Sequence, residues 1–249
     1  MSSKKFGKPL ISGLFLVDKP KDYASHDIII LTRKALHVKK IGHSGTLDPM
    51  ASGLLLLLVG RDATKQQDYF LKQTKTYDAV LELGRETDTW DAYGEETQTA
   101  PIPPFTLQDV QQATQTLTGE VEQPIPFFSA KKIGGERMYD LARNGHEIER
   151  RYNTVRILQW SNIKLLPNNQ IAFTLTCSCG TYVRSMGWML AQKLGTTGHI
   201  CALRRTRIGD LDVKDAFDGA LIKDSTPGTI YSRFIPVPQN RPEPQAHEN

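Results

Sequence analysis

The residues most suggestive of chemistry lie in one short segment that combines two glycines, a histidine, a carboxylate and a proline. It runs from Gly42 through His43 and Asp48 to Pro49, and Gly53 follows just before an aliphatic run. This composition predicts a tightly shaped loop that holds Asp48 at the edge of a buried strand. Asp48 could bond only backbone amides in an Asx-turn, or it could act as a catalytic carboxylate. Spacing alone favours the turn slightly and leaves both interpretations open.

Several common catalytic and cofactor-binding motifs are missing from the sequence. Thr46 stands two positions after Ser44, where a serine-hydrolase elbow requires glycine. Dinucleotide loops of the G-x-G-x-x-G type, Walker A loops and H-E-x-x-H zinc helices are also absent. The sequence therefore gives no support to hydrolase, nucleotide-binding or zinc-protease chemistry.

The nearest approach to a metal set is Cys177-x-Cys179 together with His199-x-Cys201. Alternate positions of a strand share a face, so these four side chains could converge on zinc. Buried cysteines are common, however, and C-x-C is not the usual spacing of a structural zinc site. We expect no metal, and zinc remains the lesser alternative.

Composition describes an ordinary globular protein with a slight basic excess. Of 249 residues, 39% are hydrophobic and 23% are charged, and the formal charge of +4 permits a polyanionic partner without demonstrating one. The longest aliphatic run, Leu54–Val59, is far shorter than the ~20 residues of a spanning helix, and no secretory signal is recognisable. Three cysteines without a C-x-x-C pair fit a reducing compartment. We expect a cytoplasmic protein without a membrane segment.

Hydrophobic periodicity and end signals predict the elements that must position these residues. Helices are predicted from a capping Ser25 to about His37, from the Thr106/Asp109 capping box to Gly119, and from Tyr182 to Leu194 before Gly195. Strands are predicted at Leu54–Val59, Tyr77–Leu83, Thr154–Trp160, Ile171–Ser178 and Ile200–Ile208. Because these elements follow no strict βαβ period, we predict a mixed sheet with helices on it rather than a doubly wound fold.

Proline-rich and basic segments bear on the domain boundaries. Residues 236–249 carry four prolines among polar residues, which predicts a disordered tail, and residues 1–9 are expected to form a flexible basic N-terminus. The single domain between them spans 10–235. Residues 95–105, with three prolines, are either a loop within a domain or a boundary between two.

The Asp48 loop is one of seven motifs that run in order along nearly the whole chain. The others are Lys19-Pro20, Lys75-Thr76-Tyr77, Thr87-Asp88-Thr89 with Asp91-x-x-Gly94, Phe128 to Lys132 with Gly135, Tyr139, Ala142 and Arg143, Cys179 to Arg184, and Leu203 to Gly209. Together they resemble the TruB family of pseudouridine synthases, which isomerise uridine 55 in the T-arm of tRNA. The resemblance implies the pseudouridine synthase fold, an α/β class of the α+β type whose mixed, largely antiparallel sheet is flanked by helices and loops.

The catalytic roles that the resemblance implies agree with elementary chemistry. Pseudouridine formation breaks the N1–C1′ bond, turns the base and joins C5 to C1′, which needs a carboxylate but no metal, redox agent or energy source. The resemblance makes Asp48 that carboxylate and Tyr77 the residue that stacks on the base and accepts the C5 proton. It makes Arg184 the cation that keeps Asp48 ionised. No cofactor is expected.

The resemblance also implies an RNA-binding set. The target uridine lies inside the tRNA elbow and must be flipped out, which His43 is expected to assist by stacking in the T-loop. The implied substrate-binding residues are His43, Lys19, Pro20, Tyr182, Leu203, Lys132, Arg143 and Arg205, with phosphate contact as the natural role of the basic ones. Residues 123–151 are similar to an insertion that closes over RNA. Many family members continue into a PUA-type RNA-binding domain, whereas only about forty residues follow Gly209 here. We therefore expect a short form without a full PUA domain, with weaker tRNA affinity and the chemistry intact.

Three rival hypotheses remain beside a monomeric tRNA-modifying enzyme without an obligate protein partner. A related synthase acting on another RNA would share the Asp48 loop. A binding-only RNA chaperone of the same fold would be expected to have lost Asp48, Tyr77 or Arg184, yet all three are present. A glycoside hydrolase normally needs two opposed carboxylates, and only Asp48 has a motif around it.

Overall fold

The structure, a computed structural model, describes residues 12–127, 132–133, 136–137 and 150–238. The chain divides into two compact units. The first comprises Met1–Pro49, Gly53–Lys72 and Leu211–Asn249, and the second comprises Met50–Ser52 and Gln73–Asp210. Within the described ranges, none of the helices is long and apolar enough to span a membrane.

The helices of the described residues are short, and the strands carry most of the regular structure. The helices are α1 Ser25–Leu36, α2 Gly60–Thr64, α3 Gln67–Lys72, α4 Leu107–Thr116, α5 Val183–Lys193 and α6 Pro227–Tyr231, with 3₁₀ turns at Val213–Asp215 and Gly219–Asp224. The strands are β1 Gly13–Lys19, β2 Ile41–His43, β3 Ser52–Val59, β4 Lys75–Leu83, β5 Arg85–Thr87, β6 Glu96–Thr99, β7 Gly119–Pro124, β8 Lys132–Ile133, β9 Glu136–Arg137, β10 Tyr152–Leu166, β11 Gln170–Cys177, β12 Gly198–Ile208, β13 Leu211–Asp212 and β14 Phe217–Asp218.

The first unit is built around β1 and β3, which pair antiparallel from Gly13 opposite Val59 to Lys19 opposite Gly53. Strand β2 pairs antiparallel with β3, and β14 lies parallel to β1. The aliphatic residues 54–59 of β3 are all fully buried. A continuous apolar run is what a strand covered on both faces requires, and this explains why β3 shows no polar alternation.

The second unit is an antiparallel sheet in the strand order β12-β4-β11-β10-β7. Strand β4 alternates strictly, with residues 75, 77, 79, 81 and 83 buried. Helix α5 packs closely on this buried face, since a Cβ on Gly187 would lie 2.5 Å from the Cδ1 of Ile200 and 3.5 Å from that of Leu81. Glycine at position 187 is therefore what allows the helix to approach the sheet.

All five predicted strands are confirmed, as is a mixed, largely antiparallel sheet with helices. The other nine strands of the described residues were not predicted from periodicity, and β1 and β7 are the longest of these. Residues 95–105 lie within the second unit, where β6 pairs with β5, so the boundary alternative for this segment is wrong. The predicted tail and N-terminus, apart from residues 236–238, lie outside the described residues.

The predicted start of α4 and both predicted ends of α5 are confirmed, whereas the predicted start of α1 and the predicted end of α4 are corrected. Thr106 and Asp109 form the capping box of α4, and α5 begins after Tyr182 and ends at Lys193. Ser25 does not cap α1, because Ala24 takes that position and its N–H donates to the Asp27 carboxylate at 2.8 Å. Helix α4 ends at Thr116, and Gly119, with φ +87°, begins β7 instead of closing the helix.

Candidate active site

Asp48 lies half-buried in the loop that follows β2 in the first unit, between two anchored neighbours. The hydroxyl of Ser25 donates to the carbonyl of Leu47 at 3.0 Å and accepts from its N–H at 2.8 Å. On the other side, the N–H of Asp22 donates to the carbonyl of Pro49 at 2.9 Å. The use of Ser25 in this clamp explains why it does not cap α1. The loop therefore fixes the backbone on both sides of Asp48 and leaves this residue partly exposed.

His43 is the last residue of β2 and lies opposite Leu57 of β3. It is half-buried, and its carbonyl accepts from the side-chain amide of Gln67 at 3.2 Å. Immediately after it, the N–H of Ser44 donates to the carbonyl of Leu56 at 3.1 Å, and Gly45 has φ +97°. A backbone conformation that favours glycine therefore begins the turn toward Asp48.

Lys19 and Pro20, which are predicted to bind RNA, adjoin the turn that is hydrogen-bonded to the Asp48 loop. Lys19 is fully buried at the end of β1, and its ammonium donates to the carbonyls of Pro20 at 2.9 Å and Tyr23 at 2.6 Å. It thereby stabilises the turn that carries Asp22, whose N–H binds Pro49. An enclosed ammonium is not presented to a phosphate, so the structure gives Lys19 a framework position. Pro20 itself is half-buried.

Tyr77, Leu203 and Arg205 share the buried face of the second unit's sheet. Tyr77 is 9% exposed and lies between Leu175 of β11 and Arg205 of β12. Leu203 is 8% exposed and lies opposite Ala79 on the same face. Arg205, 1% exposed, is enclosed like Lys19 and does not present its guanidinium to the solvent. The strand pairing thus brings three predicted site residues together on one face.

Arg184 is the second residue of α5 and is almost completely buried, at 4% exposure. Its Nη1 donates to the carbonyl of Thr89 at 2.8 Å and lies 3.5 Å from Oδ2 of Asp91. The other oxygen of Asp91 accepts from the hydroxyl of Thr89 at 2.8 Å and from the N–H of Tyr93 at 2.9 Å. A buried guanidinium therefore has a hydrogen-bonded carboxylate partner within its own unit.

Asp91 is the functional candidate that sequence reasoning missed. The motif Asp91-x-x-Gly94 was visible in the sequence, but nothing in its spacing assigned the carboxylate to Arg184. The predicted partner of Arg184, Asp48, belongs to the first unit. That pairing stays a prediction based on the resemblance.

Gln123, fully buried at the end of β7, fixes the loop that leads into α5. Its side-chain amide donates to the carbonyl of Gly180 at 2.8 Å, and its side-chain oxygen accepts from the N–H of Tyr182 at 3.0 Å. The hydroxyl of Ser185 adds a bond to the carbonyl of Pro124 at 2.7 Å. These contacts set the half-buried Tyr182 and the first turn of α5 relative to the sheet.

Lys75 begins β4 two residues before Tyr77 and is buried. Its pKa is lowered from 10.5 to about 8, chiefly by burial and also by nearby Arg205, while Cys179 and Cys177 oppose the change. Burial also raises the pKa of Cys177 to about 11. Sequence reasoning noted Lys75 only as part of a motif, since a lysine's burial is not visible in its spacing.

The residues of the lesser zinc alternative have other partners. Both ring nitrogens of His199 lie against Arg85, Nδ1 at 3.0 Å from its carbonyl and Nε2 at 3.1 Å from its Nη2. The thiol of Cys177 donates to the carbonyl of Lys75, and that of Cys201 to Val80. Over the described ranges, no three His, Cys, Asp or Glu side chains are grouped so as to hold a metal ion.

Two of the predicted RNA-binding residues belong to the segment 128–149, which the structure describes only in part. Arg143 lies outside the described residues, and the structure describes Lys132 only as part of the backbone pair β8–β9. Most of the predicted insertion at 123–151 is likewise outside the described ranges.

Comparison with known proteins identifies relatives over most of the chain. Residues 33–183 match the family model described as TruB family pseudouridylate synthase (N terminal domain). A protein of Opitutus terrae named tRNA pseudouridine synthase B is 40% identical over 233 residues, covering 93% of this chain and 95% of that protein. The protein of the same name from Bacillus subtilis is 37% identical over 234 residues, covering 92% and 75%.

Solved structures share the fold at lower identity. A chain of a Cbf5-Nop10-Gar1 complex matches with a TM-score of 0.65 and 22% identity, over 90% of this chain and 60% of that one. A chain of an H/ACA RNP bound to a substrate RNA containing 2′-deoxyuridine matches with a TM-score of 0.62 and 23% identity, over 85% and 52%. The fold expected from the seven motifs is thereby confirmed.

Proposed function

The chain belongs to the TruB family of pseudouridylate synthases, and on this premise we propose that it converts uridine 55 in the T-arm of tRNA to pseudouridine. Its relatives' name, tRNA pseudouridine synthase B, supports tRNA as the substrate. The reaction is an isomerisation: the N1–C1′ bond breaks, a C5–C1′ bond forms, C5 loses a proton and N1 gains one. Because substrate and product contain the same atoms, no second substrate is consumed.

The observation that carries this proposal is the geometry of the Asp48 loop. Leu47 and Pro49 are both hydrogen-bonded to the segment 22–25, while Asp48 between them stays partly exposed. A catalytic group must be held in place by its surroundings while its reactive atoms remain accessible.

The other catalytic roles follow from the resemblance and are supported by local geometry. We assign to Tyr77 contact with the target base and transfer of the C5 proton, since a phenol offers a flat ring and a titratable oxygen. We assign to Arg184 the stabilisation of the ionised Asp48. The fixed, buried position of Arg184 beside Asp91 suits a cation that must not reorient during the reaction.

The proposed RNA contacts divide into two groups. His43, Pro20, Tyr182 and Leu203 would contact the nucleotides around the target, and Lys132 and Arg143 would contact phosphates. Lys19 and Arg205 are enclosed, so we assign both to positioning. We further propose that residues 10–235 act as one catalytic domain, as a monomer in the cytoplasm, without an obligate protein partner.

The test is release of tritium from tRNA labelled at uridine C5, combined with mapping of the modified position. The wild-type protein should release one tritium per tRNA and modify uridine 55, and a transcript with cytidine at that position should give no release. Asp48→Asn should abolish release while tRNA binding persists, since the substitution keeps the shape and removes the charge.

Asp62→Asn is the matched control, because Asp62 is an exposed carboxylate in α2 whose contact is an ion pair with Lys65 at 3.8 Å. It should release tritium at the wild-type rate. Full release by Asp48→Asn would discard its catalytic role. Modification at another position, or only in another RNA, would discard the substrate assignment.

A further inference from the structure

The turn that carries Asp91 contacts α5 at a second point, through two stacked tryptophans. The rings of Trp90 and Trp188 lie 4.8 Å apart with an angle of 18° between their planes. Trp90 directly precedes Asp91, and Trp188 follows Arg184 by one helical turn. The stack and the Arg184–Asp91 ion pair therefore join the same turn to the same face of the same helix.

A single carboxylate ties the two tryptophans together. Oε1 of Glu86 accepts from Nε1 of Trp90 at 2.9 Å, and Oε2 accepts from Nε1 of Trp188 at 3.0 Å. The hydroxyl of Thr197 donates to the same Oε2. One acceptor group thus fixes the orientation of both indoles, which is more than stacking requires.

The backbone conformation of Trp90 shows that the surrounding contacts hold this residue in place. Trp90 is 3% exposed and has φ +57°, a left-handed conformation that is unfavourable for a bulky side chain. Its N–H donates to the carbonyl of Thr87 and its carbonyl accepts from Ile200, both at 3.0 Å. Such a conformation persists only when its surroundings fix it, and here the stack and Glu86 do so.

Arg150 contacts the rings of this cluster as well. Its guanidinium carbon lies 4.8 Å from the ring centre of Trp90, 5.6 Å from that of Trp188 and 5.1 Å from that of Phe127. These distances are within the range of cation–π attraction. The two tryptophans are therefore contacted by a cation, Arg150, as well as by the Glu86 carboxylate.

We propose that Glu86, Trp90 and Trp188 are positioning residues that hold Asp91, and through it Arg184, in the geometry required for catalysis. The inference rests on the proposed function, because it gives Arg184 a role in the reaction. None of the three touches the reacting atoms. Their loss shifts the Asp91 turn relative to α5, and the Arg184 guanidinium loses its fixed direction.

The test is single-turnover tritium release with enzyme in excess, measured beside the Kd for tRNA. Trp188→Leu removes both the stack and the indole N–H, and it should slow the reaction at least tenfold while Kd changes less than twofold. Trp188→Phe keeps an aromatic ring and should recover part of the rate. Glu86→Gln, which keeps the shape but cannot accept from both indoles equally, should slow the reaction without unfolding the protein.

Trp160 provides the matched control within the same unit. It also packs on an aromatic ring, that of Phe173 at 4.8 Å, and its Nε1 donates to the carbonyl of Leu117 at 3.1 Å. Trp160→Leu should lower the stability of the protein and leave the single-turnover rate within twofold of wild type. An equal loss of rate in both tryptophan variants would overturn the positioning role.

A double-mutant cycle separates positioning from general weakening of the fold. In an Asp91→Asn background, Trp188→Leu should slow the reaction by less than threefold, because the contact it supports is already gone. Independent, multiplicative effects would overturn the proposal, as would a wild-type rate in both Trp188→Leu and Glu86→Gln. Failure of the proposed function is distinguishable, since the wild-type protein itself would then release no tritium from tRNA.

Discussion

Arg184 shows how this protein accommodates a charge that is almost entirely removed from water. A buried guanidinium is tolerated when it is paired and hydrogen-bonded, and here Asp91 and the carbonyl of Thr89 provide those contacts. Asp91 is itself held by the hydroxyl of Thr89 and the N–H of Tyr93. The position of the cation is therefore determined by a rigid turn and not by the flexible arginine side chain.

Asp91→Asn should slow pseudouridine formation by about 10- to 100-fold, since a hydrogen bond to a charged group contributes about 1.5–3 kcal/mol. The loss should appear in the single-turnover rate, with tRNA affinity retained. Asp88→Asn is the control in the same turn, because the Asp88 carboxylate accepts from the N–H of Glu95 at 2.9 Å and the residue is partly exposed. If both variants lose the same rate, Asp91 acts through the turn's stability alone.

Because of Lys75, the free energy of unfolding should increase with pH in the alkaline range. Its pKa falls from 10.5 to about 8 through burial, so between these values the unfolded chain retains a proton that the folded chain has released. As far as Lys75 is concerned, the unfolding free energy therefore has its full value above pH 10.5. It is reduced once the pH falls through about 8, where the folded protein has to hold a buried ammonium. The difference in unfolding free energy between wild type and Lys75→Met should rise by about 3 kcal/mol from pH 7 to pH 10.5.

Urea unfolding at several pH values measures this difference. Lys164→Met, at an exposed position of β10, is the control and should show a difference from wild type that is independent of pH. If the difference in unfolding free energy between wild type and Lys75→Met did not change with pH, Lys75 would have its ordinary pKa in the folded protein.

At the scale of single residues, the sequence could predict which side chains matter better than what they contact. The Asp48 loop, Tyr77 and Arg184 stand in motifs that can be recognised from residue types alone. The burial of Lys19 and Arg205 could not be predicted, because residue types alone do not show whether a long basic side chain turns inward, even though the carbonyls that Lys19 binds, those of Pro20 and Tyr23, are close to it in sequence. The assignment of Asp91 to Arg184 required the packing of α5 on the sheet for the same reason.

Strands with a clear hydrophobic pattern could be predicted from the sequence, whereas strands that depend on pairing with a neighbouring strand could not. Strands β3, β4, β10, β11 and β12 have apolar or alternating patterns that identify them. Strand β7, Gly119–Pro124, has the sequence GEVEQP, in which two glutamates and a proline obscure the pattern. Its strand conformation comes from pairing with β10, from Tyr152 opposite Pro124 to Ile157 opposite Gly119.

Gln123 connects β7 to the loop that leads into α5, and its replacement tests how the strand positions the helix. Gln123→Met removes the bonds to Gly180 and Tyr182 and leaves two backbone groups without these partners. Stability should fall by about 2 kcal/mol in urea unfolding, at roughly 1 kcal/mol for each hydrogen bond. The single-turnover rate should also fall, because α5 carries Arg184.

Glu122→Met is the matched control for this test, since Glu122 is the exposed neighbour of Gln123 on the same strand. It should leave both stability and rate close to wild type. A rate loss for Gln123→Met without a change in stability would assign Gln123 a direct part in catalysis instead.

At the scale of the molecule, the first unit is assembled from segments that are far apart in the chain. Leu14 of β1 exchanges two backbone hydrogen bonds with Ile235, each 2.9 Å long. The ring of Phe234 packs against Phe15 at 5.6 Å and Tyr231 at 5.3 Å. The residues around 235 are therefore part of the folded unit and complete its β1 edge.

Close packing at Gly13 explains why this contact is specific. A Cβ at position 13 would lie 2.6 Å from Cδ2 of Phe234, so only glycine leaves room for the ring. Gly13→Ala should therefore displace Phe234 from β1. Such a contact between the two ends of the chain has no local sequence signal, and the composition of the proline-rich segment predicted only where order should stop.

This arrangement makes the predicted boundary at residue 235 testable by truncation. A chain that ends at Val237 keeps the contacts of Phe234 and Ile235 described above and should unfold at the same urea concentration as the full chain. A chain that ends at Arg233 loses two hydrogen bonds and a half-buried aromatic ring, which together correspond to about 3 kcal/mol. Equal stability of the two truncated chains would show that the β1 edge does not need its partner. Destabilisation of the longer one would place essential contacts beyond the predicted boundary.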